Sequence, residues 1–219
     1  MMRFNLDRIA ASLCAFQADF ASVNARLSLH REPFSDDLLA NLLTAYEFLN
    51  QTLVRGFHIM TPAGQHALLE MNHLVLCGAD PRTRFEYHNH VLETRTRFQK
   101  RIGTIRDWFR KRQHKDDAFT LASVLYSRAV SQPQLFLEGN HRTGNLLVNF
   151  VLVSAGEPPF VVRSENAVEY FELSGAMKLS GGGGKLRAKR GQTLRWRAQF
   201  ADLLRSEVDT AYLSGRDDQ

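Results

Sequence analysis

The chain has 219 residues, 44% of them hydrophobic, and a formal net charge of +5 at pH 7. That length and apolar share suffice for one full-sized core and exclude a disordered chain. No apolar run of roughly eighteen residues is present, which excludes a membrane-spanning helix, and the modest positive charge favours anionic partners without selecting one. Met1-Met2-Arg3-Phe4-Asn5-Leu6-Asp7 meets an acid at once and does not read as a signal peptide. Cys14 and Cys77 are read as buried free thiols in a reducing compartment in preference to a disulfide, with the cytoplasm as the default location.

The periodicity is helical nearly throughout. From Asn5 to Ser28, the residues Ile9, Leu13, Phe16, Phe20, Val23 and Leu27 form one stripe of an amphipathic helix. Ser35 is the expected N-cap of a second helix, with Asp36 and Asp37 at the positive end of its dipole. Leu39, Leu42, Leu43, Tyr46, Leu49 and Leu53 make its stripe, and Gly56 ends it. Thr61-Pro62 reads as the cap and first turn of a third helix ending near Gly78. The Ala79-Asp80-Pro81 turn leads into the polar stretch Tyr87-His88-Asn89-His90, where a short hairpin between residues 81 and 95 is admissible.

A helix through Ile102, Ile105, Trp108 and Phe109 ends at Lys111-Arg112, and Asp116-Asp117 open the next, with Phe119, Ala122, Leu125, Tyr126, Ala129 and Val130 inward. After a loop from Ser131 to Asn140, a helix runs from His141 to about Ala155, and another spans Ala167 to Lys178. Gly181 to Gly184 read as a flexible joint before a last helix through Leu194, Phe200, Leu203 and Leu204. The class is all-α. Residues 1–60 are read as a helical extension and 61–219 as the main domain.

One loop carries chemistry: Glu138-Gly139-Asn140-His141-Arg142-Thr143-Gly144-Asn145, set between two apolar helices. A glycine-bearing loop that feeds a helix offers unpaired backbone N–H groups and the positive end of a dipole, which suits phosphate. Arg142 in the first turn opposes that dipole unless an anion compensates, and Glu138 could hold a divalent cation bridging phosphate oxygens. The plainer alternative makes Asn140 an ordinary N-cap and Gly139 a turn residue.

Phe136 to Asn145 resembles the Fic family motif His-Pro-Phe-x-Asp/Glu-Gly-Asn-Gly-Arg-x-x-Arg, and the likeness extends over about residues 65–205. Fic domains are α-helical, and most transfer AMP from ATP to a protein hydroxyl. The resemblance makes Phe136 a core anchor, Glu138 the Mg-binding acid, Gly139 and Asn140 the anion nest, and Arg142 a phosphate contact, with ATP or another nucleotide as ligand and a protein as target. It also implies a hairpin flap near residues 81–95 that docks the target by strand addition.

The departures are as informative as the matches. Gln134 stands at the catalytic histidine position, Leu135 at the proline, His141 at the glycine and Asn145 at the second arginine. A carboxamide has no basic lone pair near neutral pH, and a lost general base typically costs on the order of 10²–10⁴ in rate. Losing arginine at 145 removes a bidentate phosphate clamp. His141 has the right chemistry for a substitute base or a ligand contact, while His88 and His90 read as a solvated face.

The expectation is therefore a Fic-fold pseudoenzyme or altered transferase that keeps a phosphate site at Glu138, Gly139, Asn140, His141, Arg142 and Asn145. An active transferase with another base, and a non-catalytic interaction protein, are the alternatives. Gly181 to Gly184 with Lys185 do not make a Walker A loop, because Leu179 and Leu186 stand where glycine and Ser/Thr are needed. Lys185, Arg187, Lys189, Arg190, Arg195 and Arg197 form a basic cluster that reads first as a solvated loop and helix start, with grip on nucleic acid phosphates or an acidic partner as the alternative. Ser28 to Pro33 matches the family's inhibitory segment only in part.

Overall fold

The computed structural model describes residues 2–56, 58–180 and 186–214, leaving aside the side chains of 186–190. The expected glycine joint, Lys185, and the side chains of Arg187, Lys189 and Arg190 lie outside the described residues. Strand β1 (Arg3–Phe4) pairs antiparallel with β2 (Leu213–Ser214), joining the two ends of the chain, with Phe4 opposite Leu213. Asn50 brackets Phe4, accepting from its N–H at 2.8 Å and donating to its carbonyl at 3.0 Å.

Helix α1 (Leu6–Ala25) is capped by the Asn5 side chain, which accepts from Arg8 N–H, and it buries Ile9, Leu13, Phe16, Phe20 and Val23 as its stripe requires. Helix α2 (Asp36–Val54) is capped by Ser35 and buries Leu42, Tyr46, Leu49 and Leu53. Helix α3 (Gln65–Cys77) starts later than Thr61-Pro62 suggested. Thr61 Oγ1 instead donates to His58 O at 2.8 Å and accepts from Gly64 N–H at 3.1 Å, closing a compact turn. Gly64 must be glycine there, since a Cβ would stand 2.1 Å from His58 O.

The hairpin admitted between residues 81 and 95 does not form. Asp80 caps helix α4 (Pro81–Glu86) by accepting from Thr83 N–H at 2.7 Å, and Pro81 occupies the first turn. Helix α5 (His88–Arg112) follows after Tyr87, so the ambiguous polar stretch is a helix junction. Cap chemistry and a run of helix-forming residues outweigh the weak strand signal of Tyr87 and Val91.

Helices α6 (Ala118–Val130), α7 (Asn140–Ser154), α8 (Ala167–Leu179) and α9 (Leu186–Glu207) complete the bundle. Residues 143–153 of α7 are all buried, so this helix is the centre against which α2, α3 and α6 pack. One apolar cluster runs from Phe4 through Ile9, Tyr46 and Phe136 to Tyr212, so the first two helices share the core of the rest. A smaller cluster joins Phe16, Phe20 and Val23 of α1 to Ala167 of α8. The protein is predominantly all-α. Both cysteines are free thiols, but Cys14 is exposed where a buried position was expected, because it falls beside the α1 stripe; Cys77 is buried. No helix among the described residues is long and apolar enough to cross a membrane.

Candidate functional site

The loop between α6 and α7 is anchored from both sides. Leu135 and Phe136 are fully buried, and Phe136 stacks on Phe98 of α5 with centroids 5.4 Å apart. Asn140 closes the loop on itself: its Oδ1 accepts from Phe136 N–H at 2.8 Å and its Nδ2 donates to Phe136 O at 3.0 Å. Gly139, not Asn140, holds the cap position, with φ +70. A Cβ there would meet Asn72 Nδ2 at 3.0 Å and Leu76 at 3.2 Å, so both conformation and space call for glycine. The N–H groups of Asn140, His141 and Arg142 then begin α7 with no acceptor in the preceding turn of helix.

Asn72 of α3 backs this turn, donating to Glu138 O and to Thr143 Oγ1, each at 3.0 Å. The Glu138 carboxylate is exposed and lies 4.0 Å from His90 Nε2. Among the described residues no group of three or more His, Cys, Asp or Glu could hold a metal on protein ligands alone. Glu138 fits only the kind of Mg site that phosphate oxygens and water complete. Arg142 donates from Nη1 to Val75 O at 2.6 Å, at the negative end of α3. Burial pulls its pKa down, and Glu138, Glu32 and Tyr87 oppose that; the guanidinium stays charged, with this bond using one of its five N–H groups.

His141 turns into the bundle. Its Nδ1 is hydrogen-bonded to the Tyr126 hydroxyl at 2.9 Å, and Tyr126 meets the Tyr170 hydroxyl at 3.2 Å. Burial, then the positive charges of Arg31 and Lys178, push the imidazole pKa down to about 3. Asn145 accepts through Oδ1 from the Tyr46 hydroxyl at 3.4 Å and from Asn149 Nδ2 at 3.3 Å, while its own Nδ2 is buried without a partner. His141, Arg142 and Asn145 share one wall of a small cavity of about 80 Å³ whose other wall is apolar, with Phe16, Phe34 and Phe171. Gln134 is half-buried at the opposite end of the loop, and His88 is exposed.

Several residues that shape this region carry no local signal in the sequence. Arg31 arrives from the segment after α1, donates to Phe171 O at 3.2 Å and lies over the Phe171 ring. Asn72 and Tyr46 look like ordinary positions on helical stripes. Only buried polar atoms, visible after folding, mark them.

No protein-family model matches the chain. It is 26% identical over 140 residues to protein adenylyltransferase Fic of Nematostella vectensis, across 58% of this chain and 31% of that protein. The chain thus spans about a third of the length of this relative. Its fold is similar to that of a solved fragment of Fic-1 from C. elegans, with a TM-score of 0.51 over 90% of this chain and 64% of that one, at 21% identity. The chain is distantly homologous to Fic-domain proteins, at low identity.

Proposed function

We propose, from the distant homology to Fic-domain proteins, that this chain holds a phosphate-bearing ligand, ATP or another nucleotide, at Glu138 to Arg142 without efficient AMP transfer. The observation that carries the reading is the pinned left-handed turn at Gly139, which starts a helix with its first N–H groups unpaired. Asn140 and Asn72 stiffen that turn, so the donors need no reorganisation when an anion arrives. Glu138 would take part in holding Mg, which would neutralise phosphate charge.

The missing chemistry follows from two residues. Gln134 can hydrogen-bond a hydroxyl but cannot take its proton. His141 is no replacement in this reading, since its Nδ1 is engaged by Tyr126 and its pKa of about 3 makes it a weak base. The test is calorimetric titration with ATP and ADP, with and without Mg, alongside labelled-ATP transfer to lysate proteins by wild type and Gln134→His. Binding without transfer, with transfer gained in Gln134→His, is the expected result. Absence of binding at millimolar nucleotide would sink the ligand site, and equal labelling by both proteins would sink the loss of activity.

A further inference from the structure

A second feature lies against the outer side of the loop and owes nothing to the nucleotide reading. Beside Leu137, one face of α5 forms an open groove of about 590 Å³, lined by Leu92, Glu93, Thr96, Arg97, Lys100 and Arg101. Arg97 donates to Phe136 O at 3.4 Å, which fixes it against the loop. Arg101 has a buried Nε without a partner, and burial followed by the neighbouring Arg97 charge lowers its pKa. At 100° per residue, Trp108 falls on the same stripe as Arg97 and Arg101. Its ring is covered by the Arg128 guanidinium at 4.7 Å. Arg128 too has a buried Nε without a partner, and next to it Arg197 of α9 reaches Ser127 Oγ at 2.9 Å, its pKa lowered to about 10 by burial and by Arg128.

Among the described residues none of Arg97, Arg101, Arg128 and Arg197 has a carboxylate within salt-bridge distance, although Arg82, Arg84, Arg112, Arg163 and Arg205 all do. A row of half-buried guanidinium groups, none of them in an ion pair and with Glu93 as the one carboxylate among the described residues lining their groove, keeps a net repulsion that an external anion relieves. The Coulomb cost is highest at the Nε atoms of Arg101 and Arg128, the buried part of these groups, where water is scarce.

We infer that the Arg97–Lys100–Arg101 groove, continued by Arg128 and Arg197, docks an acidic, leucine-bearing segment of a partner protein. Charge complementarity names the carboxylates. The apolar walls Leu92, 47% exposed, and Leu137 name the side chains between them. Trp108, the aromatic ring on this stripe, already has Arg128 over one face, which leaves it less surface for stacking a base and favours the peptide over nucleic acid. The helical α4–α5 segment also presents no strand edge, so recognition runs through side chains.

The experiment is fluorescence anisotropy on the full chain with three probes: a labelled peptide of alternating Glu and Leu, the same peptide with Gln for Glu, and single-stranded oligothymidine. The Glu peptide binds, weakens with added salt, and loses about tenfold in affinity in Lys100→Glu and in Arg97→Gln/Arg101→Gln. Lys100 is exposed, so Lys100→Glu keeps its fold even if the double variant does not. Arg95→Gln, on an exposed position off the stripe, leaves affinity unchanged. Equal binding of the Glu and Gln peptides, equal binding by wild type and Lys100→Glu, or tighter binding of oligothymidine would each overturn the assignment.

Discussion

The His141 imidazole and the Tyr126 hydroxyl are hydrogen-bonded at 2.9 Å inside the bundle, and the burial that goes with this placement, followed by the charges of Arg31 and Lys178, removes the loop's histidine from the physiological titration range. With a folded pKa of about 3, His141 binds its proton more readily unfolded, where its ordinary value is 6.5. Its neutral form therefore costs nothing above pH 6.5, and stability is lost as pH falls from there towards 3. Each pH unit in that window is worth about 1.4 kcal/mol. Urea melts of wild type and His141→Asn, which can keep a partner for Tyr126, should diverge by about 2 kcal/mol between pH 7 and pH 5. Glu70, whose carboxyl is held near 2 chiefly by His73, contributes stability that is fully present above its ordinary value of 4.5 and is lost only below it, which leaves this interval clear. A stability difference independent of pH would show that His141 takes up its proton as readily in the folded protein as in the unfolded chain.

Gly144 answers to the same tyrosine. A Cβ at Gly144 would stand 3.0 Å from Tyr126 Cδ2 and Cε2, and the ring cannot retreat, because it is fully buried and stacks on Phe200 at 4.7 Å. Alanine within a helix normally gains about 1 kcal/mol over glycine. Here overpacking outweighs that gain, and Gly144→Ala should destabilise by about 1–3 kcal/mol before the propensity credit, with a net loss in chemical denaturation. A variant more stable than wild type would mean that the Tyr126 ring has room to move.

How much of this was legible beforehand depends on the range of the interaction. The α1 stripe, the Ser35 cap and the extent of α6 follow from side chains within a few residues of each other, and all appear where periodicity puts them. Thr61 misled because a Thr-Pro pair can close a turn as well as start a helix, and only the contact of Gly64 with His58 decides between them. Around the loop, residue types pointed to the segment, but Asn140 proved to be its clasp, with Gly139 holding the cap. The inward turn of His141 depends on Tyr126 and Tyr170, fifteen and twenty-nine positions away, which no local pattern encodes.

The clasp itself can be tested. Asn140→Ala leaves the Phe136 N–H without a partner in a buried site and its carbonyl with only the 3.4 Å bond from Arg97, a cost of about 1–3 kcal/mol. Amide hydrogen exchange should report it locally, as faster exchange at residues 135–142 with α2 unaffected. If nucleotide binding depends on a preformed turn, affinity in calorimetry should fall together with that protection. Unchanged protection across the loop would show that Gly139 and Asn72 hold it without the clasp.

Asn145 offers the sharpest case, because it stands where the resemblance expects arginine. The space is taken by Tyr46 of α2, whose hydroxyl lies 3.4 Å from Asn145 Oδ1 and also accepts from Asn149 Nδ2 at 2.9 Å. Asn145 is only 9% exposed, so an arginine there would bring an unpaired charge among Tyr46, Asn149 and the aromatic wall of the small cavity. An uncompensated buried charge costs about 3–5 kcal/mol. Asn145→Arg should therefore lower the urea midpoint strongly while restoring no transfer activity, and Tyr46→Ala should be less harmful beside Asn145→Arg than alone, because it makes room for the guanidinium. That non-additivity, measured as a double-mutant cycle, identifies Tyr46 as the residue that fills the arginine's place. An Asn145→Arg protein within 1 kcal/mol of wild type, with additive effects, would mean that the guanidinium finds solvent and that Tyr46 does not decide the identity of residue 145.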